Sequence, residues 1–99
     1  MTIKAIRDKI KVGNYRFSDH AVKNMIKRSI ERREVESVVL AGEIVEKYPG
    51  DKYSPSCLVY GKTEEGRDIH VQISLPPEVV IITAYEPNPA EWLDCRKRR

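Results

Sequence analysis

The sequence predicts an α+β fold in which N-terminal helices pack on a four-stranded antiparallel sheet, and three observations support this prediction. Apolar residues recur at helical spacing up to residue 42, and from residue 43 they alternate or run continuously, as they do in strands. Turn-forming Pro and Gly residues separate the later runs by short connections, which favours antiparallel neighbours. A chain of 99 residues can close one core but not two, so we expect residues 1–99 to form a single domain.

The first 42 residues contain three segments with helical spacing. The apolar stripes of the first and third segments are Ile3, Ile6 and Ile10, and Val35, Val38 and Val39. Gly13 and Asn14 end the first segment, and Gly42 follows the third, where we expect a left-handed C-terminal cap. Each of these segments therefore predicts a short amphipathic helix.

A second helix is predicted over residues 19–28. Ser18 is a suitable N-cap, because its hydroxyl can accept hydrogen bonds from backbone N–H groups in the first turn. The apolar positions of this helix are Ala21, Val22, Met25 and Ile26. They form one stripe, which we expect to face the core.

Four strands are predicted at residues 43–48, 56–62, 68–75 and 79–85. Residues 15–17 alternate before the second helix, but they are too few to assign as a strand. Residues 91–98 are expected to form a last helical turn or a frayed basic tail, with Trp92 anchoring that tail.

Charge is divided unevenly along the chain. Residues 1–42 carry ten Lys and Arg against five Asp and Glu, residues 43–90 carry four against eight, and residues 91–99 carry four against two. The helices and the tail are therefore basic, a distribution that fits either a nucleic acid or an acidic protein partner.

The sequence contains no sign of a cofactor, a metal site or a membrane segment. Cys57 and Cys95 are far apart and lack the spacing of zinc ligands or of a disulfide framework. No run of apolar residues approaches the length of a spanning helix. We therefore expect a cytoplasmic protein with reduced cysteines and no cofactor.

Several residue types could carry acid–base or phosphate chemistry. His20 lies in the first turn of a helix, where the helix dipole disfavours added positive charge, so it is either a proton acceptor or an ordinary surface residue. His70 shares a strand face with Gln72 and Ser74, and that face is either solvated or part of a site.

Tyrosines and arginines leave similar alternatives open. Tyr53, Tyr60 and Tyr85 lie on or beside strands, where a phenol either contacts a nucleotide or simply packs. Arg28, with the arginines at positions 32 and 33, lies where the second and third helices meet. These arginines either bind a phosphate or pair with neighbouring glutamates.

Several pieces of the chain, in a fixed order, carry a resemblance to a known family. The pieces are FSDHAVKNM (17–25), GEIVE (42–46), SCLV (56–59), GRDIHV (66–71) and IITAYEP (81–87), together with Arg28, Ile30, Glu34, Val35, Tyr48, Pro49, Asp51 and Tyr53. Over about residues 17–92, the chain resembles the family catalogued as domain of unknown function 4258. That family looks like a distant branch of the RelE/ParE-like toxin group, which includes BrnT-like proteins.

The resemblance implies a toxin-like protein that cleaves RNA without a metal and is silenced by an antitoxin protein. The positions that match the family pattern, and to which a catalytic role is carried over, are His20, Arg28, Tyr53, His70 and Tyr85. The chain departs from the pattern at Ser29, where a helix-ending glycine is usual, and at Glu31, where a capping Ser or Thr is usual. These departures predict a soft junction between the second and third helices.

Two hypotheses of different classes follow. In the first, a toxin-type ribonuclease uses His20 or His70 as base and Arg28 to bind the phosphate, with both imidazoles in one groove. Its RNA-binding residues are Lys23, Lys27, Arg32, Arg33, Arg96, Lys97 and Arg98. In the second, the same basic surface belongs to a non-catalytic module that binds a protein or a nucleic acid.

Overall fold

The computed structural model describes residues 3–52 and 54–99. The helices are α1 (Ile3–Lys11), α2 (Asp19–Arg28) and α3 (Arg32–Ala41). The strands are β1 (Arg16–Phe17), β2 (Glu43–Tyr48), β3 (Ser56–Lys62), β4 (Asp68–Ser74), β5 (Val80–Tyr85), β6 (Trp92–Leu93) and β7 (Lys97–Arg98). These elements confirm the predicted α+β class. In the part of the chain that the structure describes, each helix is too short or too polar to span a membrane.

The main sheet is mixed and has five strands in the order β1-β5-β4-β3-β2. Strands β2 to β5 form the predicted antiparallel meander. The predicted count of four strands is wrong, because β1 pairs parallel with β5 through the register Arg16↔Val80 and Phe17↔Ile81. A two-residue strand has too little alternation to be recognised, and its partner is more than 60 residues away.

One apolar core lies between the helices and one face of this sheet. Its helical side chains are Ile6, Ile10, Ala21, Val35, Val38 and Val39. They pack on Cys57, Val59, Ile69, Val71, Ile73, Ile81 and Ala84 of the strands. Burial also raises the pKa of Cys57 to about 11, so its thiol stays protonated and acts as a small apolar side chain.

The predicted inward stripe of α2 is only partly correct. Ala21 is fully buried and Met25 is half-buried, but Val22 is 42% exposed and Ile26 is 76% exposed. Helix α2 lies at the edge of the sheet, beside β5, so only one side of its stripe reaches the core. Val22 and Ile26 border an apolar groove instead, together with Phe17 and Met25.

Gly42 does not adopt the predicted left-handed conformation. Its backbone is extended, with φ −80° and ψ −169°, and its N–H donates to the Val38 carbonyl oxygen (2.7 Å). Glycine is required there for another reason, because a Cβ atom would collide with the carbonyl oxygen of Tyr60.

The junction between α2 and α3 is held by several hydrogen bonds. Ser29 caps α2 in the left-handed conformation (φ 54°), and the N–H of Ile30 donates to the Met25 carbonyl oxygen (2.9 Å). The N–H of Glu31 donates to Glu34 Oε1 (2.9 Å), which forms half of a capping box. The softness predicted for this junction stays a prediction.

The tail forms a small hairpin of β6 and β7, so the prediction of a helical turn or a frayed tail is wrong. Asp94 (φ 52°) and Cys95 (φ 64°) reverse the chain in the left-handed conformation that tight hairpin turns require. An Asp-Cys pair carries no such signal, because Asn-Gly or Asp-Gly is the usual sequence. Trp92 is buried, and it anchors the hairpin on the face of the sheet opposite the core.

Candidate functional site

Helix α2 runs alongside β5 and in the same direction. At its start, the Ser18 hydroxyl donates to the Ile82 carbonyl oxygen (2.8 Å), and the Ser18 N–H donates to the Ile81 carbonyl oxygen (3.0 Å). In its middle, Asn24 Nδ2 donates to Thr83 Oγ1 (2.9 Å). These bonds hold one side of α2 against the edge of β5, and Thr83 belongs to the face of the sheet opposite the core, which we call the second face.

Strand β5 presents a row of half-exposed side chains on this second face. The row consists of Val80, Ile82, Thr83 and Tyr85. Ile81 and Ala84 are fully buried and point to the core. The pairing with β4 shifts register between Ile81 and Thr83, so the strand carries a bulge there, which keeps the row on one face.

The side of α2 next to this row is polar and basic. We call it the α2 stripe, and it consists of His20, Lys23, Asn24, Lys27 and Arg28. Spacings of three and four residues place these side chains on one side of the helix. Among the described residues, Lys23, Lys27 and Arg28 form no ion pair. The stripe therefore presents three uncompensated positive charges.

The α2 stripe ends in a cleft of about 480 Å³, which we call the Arg28 cleft. Its lining consists of Arg28, Tyr85, Glu86, Asn88, Pro89, Glu91, Trp92 and Arg98. Two arginines, two carboxylates and a phenol converge on this space. The set provides phosphate-binding donors, proton acceptors and a proton donor in one place.

His20 is exposed in the first turn of α2. Its Nε2 lies 3.4 Å from Asn24 Nδ2, at the long limit of a hydrogen bond. The same amide nitrogen donates to Thr83, so Asn24 links His20 to β5. His20 therefore lies beside the middle of the β5 row with its ring accessible to solvent.

His70 is fully buried, and both of its ring nitrogens have partners. Nε2 is 2.6 Å from the Cys95 carbonyl oxygen, so this nitrogen carries the proton and donates it. Nδ1 then accepts from the Tyr85 hydroxyl at 3.2 Å. The rings of Tyr60, Tyr85 and Trp92 stand edge-on to the imidazole, with centroid distances of 5.9, 5.3 and 4.6 Å.

The surroundings of His70 keep it neutral. Burial lowers its pKa, and the hydrogen bond to the Cys95 carbonyl oxygen opposes part of that effect. The second face is therefore neither solvated nor open at His70, because the tail covers it. The expectation that both imidazoles line one groove is wrong for His70, whereas its catalytic role stays a prediction.

Tyr85 lies between His70 and the Arg28 cleft. Its hydroxyl contacts the His70 ring, and its side chain lines the cleft. Burial raises the pKa of Tyr85, so the phenol keeps its proton at neutral pH. Tyr85 is thus the accessible end of a hydrogen-bonded series that continues through His70 to the tail.

The other predicted site residues are dispersed. Tyr53 lies outside the described residues. Arg32 pairs with Glu36 (3.6 Å) and Arg33 pairs with Glu31 (2.8 Å), and neither arginine lines the Arg28 cleft. They are exposed, as the predicted phosphate-binding corner requires, but each already has a carboxylate partner.

The basic residues of the tail are also dispersed, because only some of them lie at the Arg28 cleft. Arg96 pairs with Glu43 (2.5 Å) and borders a different cleft, next to β2 and β3. Arg98 stacks on the Trp92 ring (4.6 Å) and pairs with Glu46 (3.0 Å), but it also lines the Arg28 cleft. Lys97 is exposed on β7. Only Arg98 among these three lines the cleft.

Sequence reasoning missed several residues of this site. Asn24 links the α2 stripe to β5, and Glu86 and Glu91 supply carboxylates to the cleft. Asn24 follows His20 by four residues, a spacing that could have indicated its position. Glu86 and Glu91 follow the last long strand without any local pattern, so only the fold reveals them.

Sequence reasoning also missed Arg67, which contacts residues of the Arg28 cleft without lining it. Its guanidinium donates to the carbonyl oxygens of Arg28 (3.1 Å) and Ser29 (2.9 Å). It also pairs with Glu34 (3.4 Å) and with Glu86 (3.2 Å). Arg67 therefore connects the end of α2, the buried start of α3 and the cleft.

One family model matches the chain. It is Domain of unknown function (DUF4258), and it matches residues 17–86. The match includes the α2 stripe, His70 and Tyr85, but not the tail hairpin, so it ends earlier than the resemblance in sequence suggested. Neither a curated protein nor a solved structure matches the chain. Within the described residues, no three His, Cys, Asp or Glu side chains are grouped to hold a metal ion. Because this family model matches most of the chain, the chain belongs to the DUF4258 family.

Proposed function

We propose that this protein is a toxin-type endoribonuclease that binds single-stranded RNA along the α2 stripe and cleaves it without a metal ion. The observation that carries the proposal is the α2 stripe itself, since its unpaired cations adjoin the β5 row and end in a cleft with Arg28 and Tyr85. Single-stranded nucleic acid is bound by such grooves, in which cations follow the backbone and adjacent side chains contact the bases.

Phosphate binding is assigned to Arg28 and Arg98. Arg28 has no carboxylate partner among the described residues, so a phosphate would not have to displace one. Arg98 pairs with Glu46, with side chains 59% and 24% exposed, and a phosphate has to replace this partly exposed ion pair to bind Arg98. Two planar guanidinium groups on one cleft suit the two unesterified oxygens of a phosphodiester.

His20 is the base in this proposal. The 2′-hydroxyl oxygen of a ribose forms a bond to the adjacent phosphorus, and the bond from phosphorus to the next 5′-oxygen breaks. His20 accepts the 2′-hydroxyl proton, and the Tyr85 hydroxyl breaks its hydrogen bond to His70 Nδ1 and transfers its proton to the departing 5′-oxygen. The products are a 2′,3′-cyclic phosphate and a 5′-hydroxyl, and Arg28 stabilises the charge on phosphorus in between.

His70 supports Tyr85 rather than the substrate. Its Nδ1 contacts the Tyr85 hydroxyl, and its Nε2 is committed to the tail. We therefore assign it a positioning role. Arg32, Arg33 and Arg96 are left outside the proposed site, because they pair with carboxylates on other surfaces.

The test is cleavage of a single-stranded RNA by purified protein in a buffer containing a metal chelator. The wild type should release fragments with 2′,3′-cyclic phosphate ends. His20→Gln should lower the rate by at least about 100-fold, the usual contribution of a general base. Arg33→Ala, which removes an arginine outside the α2 stripe, should leave the rate unchanged. Absence of cleavage by wild type, together with no growth arrest on expression, would remove the proposal.

The alternative is a non-catalytic module that binds nucleic acid or protein. The burial of His70 favours it, because only one imidazole is then exposed to a substrate. Under this alternative, wild type and His20→Gln bind RNA equally and neither cleaves it, whereas Arg28→Ala loses binding. The two functions therefore differ in their response to the same pair of variants.

We also propose membership of the RelE/ParE-like toxin group, a partner protein of antitoxin type and a cytoplasmic location. Helices on a meander of β2 to β5 and the free thiols of Cys57 and Cys95 support the grouping and the location. Exposed Val22 and Ile26 next to Lys23 and Lys27 favour an acidic partner with apolar side chains. If the product of a neighbouring reading frame protects cells, Ile26→Asp should abolish its binding.

A further inference from the structure

A second cleft lies on the same face of the sheet, at the opposite end of the β5 row from the Arg28 cleft. It has a volume of about 260 Å³, and we call it the Arg16 cleft. Its lining consists of Arg16, Ser18, Asp51, Ser54, Ser74, Val80 and Ile82. Nothing in the proposed function uses this space.

The two clefts are aligned along β5. Val80 and Ile82 line the Arg16 cleft, and Tyr85 lines the Arg28 cleft. Thr83 lies between them on the same face, and its hydroxyl accepts from the Asn24 amide, which is also 3.4 Å from His20 Nε2. The five residue steps from Val80 to Tyr85 span about 16 Å, at 3.3 Å per residue.

The Arg16 cleft combines an apolar wall with polar groups at its rim. Val80 and Ile82 are half-buried and offer aliphatic surface. The side chain of Arg16 is 63% exposed, and its only ion pair among the described residues is with exposed Glu78 (3.2 Å). The Ser54 hydroxyl forms no hydrogen bond with any other residue that the structure describes.

We infer that the Arg16 cleft is a nucleotide subsite, in which a base of the bound RNA lies against Val80 and Ile82 while its phosphate contacts Arg16. The inference rests on the proposed function and extends it. Bases of single-stranded RNA are recognised by contact with side-chain surfaces and by hydrogen bonds to their edges. An aliphatic wall next to an arginine and a hydroxyl fits that chemistry.

The alignment gives the bound strand a length and a position. A distance of about 16 Å corresponds to about five nucleotides at a stacked rise of 3.4 Å, and to fewer when the strand is extended. The proposed function places the scissile phosphate on Arg28 at one end of this row, so the nucleotides on one side of that bond extend past His20 towards the Arg16 cleft. The enzyme should therefore prefer internal bonds of a chain to a dinucleotide.

The test uses oligouridylates of two and six nucleotides that carry 2′-O-methyl groups, so that they cannot be cleaved. Their affinities are measured in chelator over a range of salt concentrations. The wild type should bind the hexamer more tightly than the dimer. Arg16→Ala should weaken the hexamer about fivefold and reduce its salt slope by about 0.7, the value for one phosphate contact on a single strand.

The controls separate this inference from the proposed function. Arg33→Ala, whose side chain is 61% exposed and also paired with glutamate, should leave both affinities unchanged. Ile82→Ala, once shown to be folded, should remove the hexamer's advantage without a change in salt slope. A hexamer affinity that Arg16→Ala leaves unchanged, or an equal loss for both lengths, would overturn the subsite alone. If neither oligonucleotide binds to wild type, the proposed function itself fails.

Discussion

His70 is the residue whose role differs most from its appearance in the sequence. A histidine on a polar strand face suggests solvent or a site, but here the tail encloses the ring and satisfies both nitrogens. Neutral imidazole fits this environment, because Nδ1 must accept and Nε2 must donate. A buried, hydrogen-bonded histidine of this kind connects the pH of the solution to the stability of the fold.

The free energy of unfolding should therefore fall as the pH is lowered below about 6.5, the usual histidine pKa. Burial lowers the pKa of His70 in the folded state, so the unfolded chain binds a proton that the folded chain does not. Proton uptake then favours unfolding, by up to about 1.4 kcal/mol per pH unit between the two pKa values. Urea unfolding at pH 5 to 8 measures the slope. His70→Asn should reduce the change in the free energy of unfolding per pH unit. Equal changes in the two proteins would contradict this role of His70.

Ser29 illustrates a residue whose conformation the family pattern did indicate. It occupies a position where glycine is usual, and it adopts the left-handed conformation that glycine adopts most easily (φ 54°). Its Cβ atom is therefore strained, whereas the hydrogen bonds of the cap are present.

Ser29→Gly should stabilise the protein by about 0.5–1 kcal/mol, since it relieves this strain and keeps the cap. Ser29→Ala retains a Cβ atom and is the matched control, with no gain expected. Chemical denaturation of the three proteins provides the comparison. A loss of stability in the glycine variant would mean that the serine side chain itself supports the junction.

Among the helices and strands, the sequence predicted those with long periodic patterns. It missed the short strands that have no such pattern. Helix α2 and strands β2 to β5 follow from periodicity, capping and turn residues. Strand β1 and the β6–β7 hairpin have two-residue strands, so their pairing is decided by tertiary contacts. The α2 stripe could be predicted as polar, but its position beside β5 could not, because α2 lies at the sheet edge.

The junction of α2 and α3 depends on Arg67, a contact that no local pattern reveals. Arg67→Ala should destabilise the protein by about 2 kcal/mol, because it leaves buried Glu34 unpaired and two carbonyl oxygens without a donor. Urea unfolding measures the loss. Arg33→Ala removes an exposed ion pair at α3, the helix that contains Glu34, and should show no measurable change. Equal stability of wild type and Arg67→Ala would contradict the assignment.

The tail hairpin depends on Trp92 and covers His70. Trp92→Ala should destabilise the protein by about 3 kcal/mol and move the pKa of His70 up towards its usual value, as water reaches the ring. Titration of the imidazole resonances by NMR, with denaturant unfolding alongside, measures both effects. Leu93→Ala, at a neighbouring position that is 46% exposed, is the control. An unchanged His70 titration in Trp92→Ala would show that the tail is not its cover.

For the whole molecule, the uneven charge of the sequence becomes an uneven surface. Much of the basic charge outside α2 is paired with the acidic middle of the chain, as in Arg96 with Glu43 and Arg98 with Glu46. The three cations of α2 are not paired among the described residues. Charge counting therefore predicted a basic surface, but only the fold shows that three of its unpaired cations lie on one helix beside one strand.

The central claim is that RNA lies along α2 and β5, and backbone NMR of the labelled protein tests it directly. On addition of the uncleavable hexamer, we expect shifts at residues 16–28 and 80–86, with few at residues 31–33 and 62–65. Shifts confined to residues 31–33 and 62–65, or no shifts at all, would contradict it.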